Sequence, residues 1–584
     1  MGDEGHVIGQ TSSLITLNNR GEMVMPMAYV DFTGPRQGLG FGTVRGFTNV
    51  FDRGEAVSGT GKFISAFSGA VRLNNSGDWV IGASTTIAPG TPASGSAILR
   101  GDADSFSAVL LSSPDPADPA NTVTPGLREF NDHGDVTIVK SRLPNGRQSL
   151  NLLDTNNADT TIATDGMLIP GGTEEFDFRT AGPSPVLTPG GNVFFQANIT
   201  GEGIAGAKNN GVFLHDGTST STVFTAGRAA PDGNGVFRSS SGLVASGDTS
   251  VFFLSDLREL NPGSSSNVGL FHWDNGAFSK IIRKGDSLPG GNGVFANSRG
   301  SHFSTNGSGV LAFPAVLQDT NGGTLDDSGI YQLRDGGIVE ITREGSPAPS
   351  TSGGSSGRFD DVNSVETSVN ELGQVAFLAN LLDDAGGETD DVGLFFYDPI
   401  DGITAIARTD ELLNGAVVKS LFFTPDISYG SAVSGLNDLG QVAFGARVNN
   451  QTGFAMLWTM DARIIGDANL DDVVNLADFG ILRSNFGLTG VANRALGDFN
   501  GDGAVNLADF GILRSNFGST TAADLAMMDA WAATVPETGI PIAGFAVAAL
   551  GLRRWQYKES QGYRDDAGST TRRGAEFHPL AAQV

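Results

Sequence analysis

One phrase, Asn-x-x-Gly followed by a short apolar strand, returns eight times between residues 18 and 440, three times as a close copy. The close copies are NGSGVLAF from Asn306, NELGQVAF from Asn370 and NDLGQVAF from Asn437. NNRGEMVM from Asn18, NNSGDWVI from Asn74 and NDHGDVTI from Asn131 are weaker, and TPGGNVFF from Thr188 and ASGDTSVFF from Ala245 are degenerate. Successive copies lie 56, 57, 57, 57, 61, 64 and 67 residues apart. A period of this size means one supersecondary unit repeated along the chain. The phrase suits a tight turn: Asn bonds its own backbone and Gly takes positive φ. It therefore reads as structural punctuation before a strand, not as a ligand site.

Each unit carries further landmarks. A second strand follows, as in GVFLHDG (211–217), GLFHWDNG (269–276), GIYQLRDG (329–336) and GLFFYDPIDG (393–402). Then comes a strand ending in a Gly/Pro turn, as in FTAGRAAPDGNGVF (224–237), IIRKGDSLPGGNGVF (281–295) and ITREGSPAP (341–349). This gives about four strands per unit, joined by Asp-Gly, Asn-Gly and Pro-Gly turns. Four-stranded units repeated radially make a β-propeller, which leaves no long sheet edges. The markers predict a mostly β fold with eight blades, seven being the alternative; a β-solenoid or two stacked sandwiches are the other folds open to this pattern. The repeat region ends with two short strands, VAFGARV (442–448) and GFAMLW (453–458), and begins with SSLITL (12–17). These partial ends are expected to complete one blade together.

Composition agrees. The 584 residues exceed what one core normally uses, and 82 Gly with only 17% charged residues indicate an all-β, turn-rich chain. A net charge of −28 argues against nucleic acid as a partner and suits a secreted protein that meets divalent cations. The chain has no Cys, which excludes disulfides, thiolate nucleophiles and Cys-based metal centres.

Residues 1–462 resemble bacterial surface proteins built from tandem NxxGxxAF repeats. Those proteins usually carry a C-terminal anchoring or sorting segment, and no established activity carries over. In them a strand with an Arg-x-Gly-Asp-type turn precedes the first marker. Here the start, MGDEGHVIGQTSSLITLNN, offers neither that turn nor a basic and apolar export signal. The reading frame is therefore expected to extend upstream of Met1, supplying early strands of the first unit and a secretory signal.

No catalytic constellation declares itself. His6, His133, His215, His272, His302 and His578 share no spacing, and no Gly-x-Ser-x-Gly elbow occurs. Arg283, Arg343, Arg408, Asp216, Asp274 and Asp335 recur at repeat-related positions. Recurrence points to structural turns and sheet-edge ion pairs, since a catalytic group is usually unique to one blade.

The C-terminal fifth, from residue 463, differs. VNLADFGILRSNFG occupies both 474–487 and 505–518, each copy preceded by spaced acids and amides. In an EF-type loop, positions 1, 3, 5, 9 and 12 supply side-chain oxygens and position 7 a carbonyl. Loop one then offers Asp467, Asn469, Asp471, Val473, Asn475 and Asp478. Loop two offers Asp498, Asn500, Asp502, Ala504, Asn506 and Asp509. The pattern predicts two calcium ions. Position 6 needs positive φ, which Gly503 meets more easily than Asp472, so loop two is expected to be the better formed. Each loop leads into a helix with one apolar stripe, Leu476, Phe479, Leu482 and Phe486 or Leu507, Phe510, Leu513 and Phe517, closed by Gly487 or Gly518. The stripes are expected to pack across a pseudo-twofold axis.

Segment 463–520 thereby resembles a type I dockerin. The resemblance implies a cohesin-like partner met at Leu476, Ala477, Arg483, Ser484, Leu507, Ala508, Arg514 and Ser515. Leu-Ala stands where well-known dockerins have Ser-Thr-like pairs, so the apolar pairs are alternatively core.

After a linker (521–534) come Val535, Pro536, Glu537 and Thr538, an apolar run to 552, then Arg553 and Arg554. Segment 535–554 resembles a PEP-CTERM sorting signal, which implies an exosortase-type protease; a sortase signal is the alternative. The 14-residue run would span about 21 Å as a helix against roughly 30 Å of hydrocarbon. Residues 555–584 read as a polar, disordered tail. The whole reads as a secreted or surface-anchored binding or structural propeller with a calcium-dependent docking module, its propeller open to a polysaccharide or cell-surface glycan. The alternative is a dockerin-bearing extracellular carbohydrate-active hydrolase that breaks down polysaccharide.

Overall fold

A computed structural model describes residues 9–10, 15–31, 34–43, 46–114, 122–143, 146–179, 182–200, 210–258, 267–298, 302–351, 355–362, 365–382, 391–399, 401–413, 415–425, 434–448, 454–459, 466, 468, 474–488, 496–499, 504–517 and 577–579. The chain divides into two compact units, one formed by 1–459 with 577–584 and the other by 460–576.

The first unit is a β-propeller of eight antiparallel sheets. Blades 1 to 8 span 9–52, 56–111, 113–164, 175–225, 236–283, 294–343, 347–408, and 412–459 with 577–579. Blade 5 shows the plan plainly: Val236–Gly247, Ser250–Arg258, Asn267–Asp274 and Ala277–Arg283 pair in chain order as a meander. The strand leading into each marker is innermost, and neighbouring inner strands touch. Thr16 Oγ1 donates to Val71 O at 2.9 Å, and Ser304 and Thr367 share a hydroxyl hydrogen bond of 2.9 Å.

Each blade is covered by its neighbours on both faces, so its strands are apolar in runs instead of alternating. Val193, Phe194 and Phe195 are consecutive and all fully buried. The cores therefore lie between blades. Between blades 4 and 5, Phe224, Phe237, Phe253 and Phe271 cluster, with the Phe237 and Phe271 rings 5.0 Å apart and perpendicular. Burial of one such ring is worth about 1.5–3 kcal/mol. A close approach explains the Gly-x-aromatic pattern of the third strands. A Cβ on Gly211, Gly269, Gly329 or Gly393 would lie 2.5–2.9 Å from the ring two residues on (Phe213, Phe271, Tyr331 or Phe395).

Two expectations are corrected here. The initial and final strands do not share a blade. Thr16–Leu17 pairs with Met23–Asp31 inside blade 1, because the tight turn at 18–21 returns the chain along the same sheet. Blade 1 thus holds its inner strand, contrary to the expectation that the first unit lacks early strands. Blade 8 takes its last strand from Phe577–Pro579, which pairs with Phe454–Thr459, so three residues of the segment read as a disordered tail are in a sheet.

The second unit contains helices α1 (Leu476–Asn485) and α2 (Leu507–Ser515). Asn475 and Asn506 are their N-caps, and each forms a reciprocal capping box with the aspartate three residues on. Gly487, at φ +88°, follows the end of α1 as expected of a C′ residue, while Gly518 lies outside the described residues.

Candidate functional site

The sequence points first to the loop–helix pair. Its two halves mirror each other in detail. Asp478 Oδ1 accepts from Ala468 N at 2.7 Å and Oδ2 from Asn475 N at 2.8 Å. Asp509 does the same with Phe499 N at 2.8 Å and Asn506 N at 2.9 Å. The preloop glycines exchange partners: a Cβ on Gly466 would meet Leu513 Cα at 3.2 Å, and one on Gly497 would meet Leu482 Cα at 2.7 Å. Phe479 and Phe510 meet edge to face at 6.0 Å. Gly487 N donates to Val505 O and Val505 N to Leu488 O, joining the end of one helix to the start of the next repeat. This is the expected pseudo-twofold packing.

The core stripe is narrower than expected. Phe479 and Leu482, and Phe510 and Leu513, are buried, whereas Leu476 is 40% exposed and Leu507 half-buried. Ala477, Arg483, Ser484, Ala508, Arg514 and Ser515 are exposed. Leu476, Gly480 and Arg483 follow each other at helical spacing on one outward face, as do Ala508, Gly511 and Ser515. The residues singled out for docking are thus mostly presented outward, with Leu507 shared between surface and core.

Asp478, Asp498 and Asp509 are buried, at 0%, 2% and 0% exposure. Burying carboxylates costs several kcal/mol each, on the order given for charged groups, unless they are paired or coordinate a metal. Their hard oxygens fit calcium. Asn475, Asn506 and Ala504 stand at the remaining described loop positions. Asp467, Asn469, Asp471, Val473, Asn500 and Asp502 lie outside the described residues, and so do Val535, Pro536, Glu537, Thr538, Arg553, Arg554 and the apolar run. Among the described residues no helix is long and apolar enough to cross a membrane.

In the propeller, the marker turns do more than the sequence suggested. Asn18 Oδ1 accepts from Arg20 N and Glu22 N at 3.0 and 2.9 Å, and Gly21 sits at φ +72°. That much was legible. The Nδ2 group donates once within the turn, as from Asn18 to Glu22 Oε2 at 2.9 Å, and a second time across to the next blade. Asn18 reaches Asn74 O at 3.0 Å, Asn131 reaches Thr188 O at 2.8 Å, Asn306 reaches Asn370 O at 2.9 Å and Asn370 reaches Asn437 O at 3.0 Å. Asn437 closes the circle on Asn18 O at 2.9 Å. The residue after each Asn adds a second set of ties, as where Asn19 N donates to Asn75 Oδ1 at 2.7 Å and Asn75 N to Asp132 Oδ1 at 2.8 Å.

Four of the recurrent residues, Arg283, Arg343, Arg408 and Asp216, hold turns and hairpins. Arg283 Nη1 contacts Asp232 Oδ2 at 2.6 Å and Asn234 O at 2.7 Å. Arg343 holds Asp326 O and Asn292 O, and Arg408 holds Pro349 O. Each arginine at the end of an outer strand thereby fastens the turn that entered its blade. Asp216 caps its own hairpin, and the backbone N–H of Ser219 with Thr218 holds its carboxyl far below the usual carboxylate range. The histidines stay apart: His133 pairs with Asp135, His215 with Thr220 and His272 with Ser250. His6 lies outside the described residues.

An eight-bladed propeller with an N-terminal blade tied directly to the last one defines the class. The chain belongs to a family of unknown function, DUF7453, which matches residues 42–453. No curated protein matches it. Among solved structures, it is similar to the β-propeller domain of the Trilobed protease from Pyrococcus furiosus, at 10% identity over 70% of this chain and 97% of that one, with TM-score 0.35. It is similar to Porphyromonas gingivalis dipeptidyl peptidase 4 at 11% identity over 77% of this chain and 58% of that one, with TM-score 0.42. It is similar to an oligogalacturonate lyase in complex with manganese at 11% identity over 67% and 90%, with TM-score 0.35.

Proposed function

We propose that the protein is a secreted or surface-anchored bacterial protein in which a binding or structural propeller is joined to a calcium-dependent, dockerin-type docking module. The observation that carries this reading is the mirrored placement of Asp478 and Asp509, buried and held by two backbone N–H groups each at the start of matched helices. Two calcium ions would be held by Asp467, Asn469, Asp471, Val473, Asn475 and Asp478, and by Asp498, Asn500, Asp502, Ala504, Asn506 and Asp509. Calcium supplies charge compensation there, and its binding becomes folding free energy for the helix pair. The outward face that includes Leu476, Arg483 and Ser484 is the surface offered to a cohesin-like partner. The tail from Val535 to Arg554 is the sorting segment, matured by an exosortase-type protease. The propeller is read as noncatalytic because its repeated Arg and Asn side chains are engaged in seams and turns.

The test is capture of the full-length chain on a panel of immobilised cohesin modules, with calcium and with chelator. Calcium-dependent capture, lost on Arg483→Glu together with Arg514→Glu, supports the reading. Capture by no module, or capture indifferent to chelator, contradicts it.

A further inference from the structure

The third strands of blades 4 to 7 share one register position, facing the second strand: Leu214 opposite Phe194, His272 opposite Phe252, Gln332 opposite Ala312 and Phe396 opposite Ala376. In blade 6 that position ties the seam. Gln332 Nε2 donates across it to Gly373 O, in the marker turn of blade 7, at 2.8 Å. In blade 5 the same position turns inward to its own sheet. The His272 ring lies on Phe252 with centroids 4.2 Å apart and planes 18° from parallel. Its Nε2 shares a 2.7 Å hydrogen bond with Ser250 Oγ, which in turn meets Ser246 Oγ at 2.7 Å. Gly309, the counterpart of Gly373, instead borders a cleft of about 780 Å³ between blades 5 and 6, lined also by His272, Lys280, Leu288, Ser308 and Asp335.

The lining is amphipathic and its charges are already balanced. Lys280 Nζ pairs with Asp286 at 2.9 Å, and Asp335 with Arg334 Nε at 3.2 Å. Burial pushes the His272 imidazole down from its ordinary value, which favours the neutral ring. A charged ligand would have to break an existing ion pair. A neutral ligand rich in hydroxyls would not: its hydroxyls can bond to Asp335, Lys280, Ser308 and the imidazole edge, and its C–H faces can rest on the half-buried Leu333 and Ile338, which also line the cleft. The volume lies in the range of small-molecule sites.

We infer that the seam between blades 5 and 6 binds one or two neutral sugar units of a glycan. This deepens the reading of the propeller as a binding domain and is independent of the calcium module. The test is saturation-transfer NMR and calorimetry of the full-length chain with cellobiose, xylobiose and galactobiose. His272→Gln installs the residue that blade 6 uses to tie its seam, within reach of Gly309, so it is expected to abolish sugar binding while leaving the melting temperature equal or higher. Asp335→Asn, at a position 82% exposed, leaves the fold untouched and is expected to weaken binding at least tenfold. Wild-type binding with both variants unchanged would overturn the assignment to this seam while leaving the propeller a sugar binder. Binding of none of the three sugars by the wild type would overturn the ligand class.

Discussion

Asn437 donates its Nδ2–H to the carbonyl of Asn18 at 2.9 Å, across 419 residues of chain, and so makes the last blade the neighbour of the first. The same side chain accepts from Leu439 N at 3.1 Å and Gln441 N at 2.9 Å, so one residue sets both the local turn and the ring closure. Its Asn18 partner is completed by Leu17 N donating to Ser434 O at 2.7 Å, one step further in.

Asn437→Ala removes these bonds and leaves buried donors and acceptors unmatched. We expect a loss of about 2–4 kcal/mol of stability, read by urea unfolding followed by tryptophan fluorescence. Asn437→Asp keeps the acceptor that shapes the turn but sets a carboxylate oxygen against the Asn18 carbonyl, so it should not rescue closure. An Asp variant as stable as wild type would refute the role given to Nδ2.

Glycine does two opposite jobs here. Gly393→Ala would drive a methyl to 2.5 Å from the buried Phe395 ring, and the expected cost is about 1–3 kcal/mol. Gly480 lies in α1 with nothing within 4 Å of where a Cβ would stand. Gly480→Ala should therefore stabilise the helix pair by about 0.5–1 kcal/mol through helix propensity. Circular-dichroism melts of both variants check the contrast.

Glu344 is buried beside Ser328, whose Oγ donates to Oε2 at 3.0 Å, and burial pushes its carboxyl up from the ordinary value of 4.5. A carboxyl with a raised native-state pKa binds its proton more tightly when folded. Its contribution favours the native state below the ordinary value and fades as pH rises through the raised one. Glu344→Gln is expected to raise the melting temperature at neutral pH and to flatten the pH dependence above about 4.5. Unfolding measured from pH 4 to 8 tests this; a variant less stable than wild type at neutral pH would contradict it.

The blade period, the strand count and the Asn turn were legible because each depends on residues a few positions apart. The role of Asn Nδ2 was not. Its acceptor belongs to another repeat 56 to 67 residues away, or 419 away at the closure, and only folding places the two together. The N-terminal strand was misassigned because a short SSLITL segment looks the same as an inner or an outer strand; the turn after it decides the matter. Leu476 was read into the helix core from spacing alone, although a two-helix unit buries only a narrow stripe. Nothing in its immediate sequence sets His272 apart from the other five histidines. Aligning the third strands on their Gly-x-aromatic pattern would have shown it standing where other blades have Leu214, Gln332 and Phe396.

Calcium at the two loops is the step on which the docking module depends. Calorimetric titration of the chelator-treated, full-length chain with calcium tests it most directly, alongside an Asp498→Ala/Asp502→Ala variant that spares the Asp509 cap of α2 and an Asp467→Ala/Asp471→Ala variant that spares Asp478. Two calcium ions are expected to bind the wild type and one each variant, the larger loss of thermal stability falling on the Asp498/Asp502 pair because glycine at position 503 takes positive φ more easily than Asp472. No calcium heat, with helicity and melting unchanged by chelator, would contradict it.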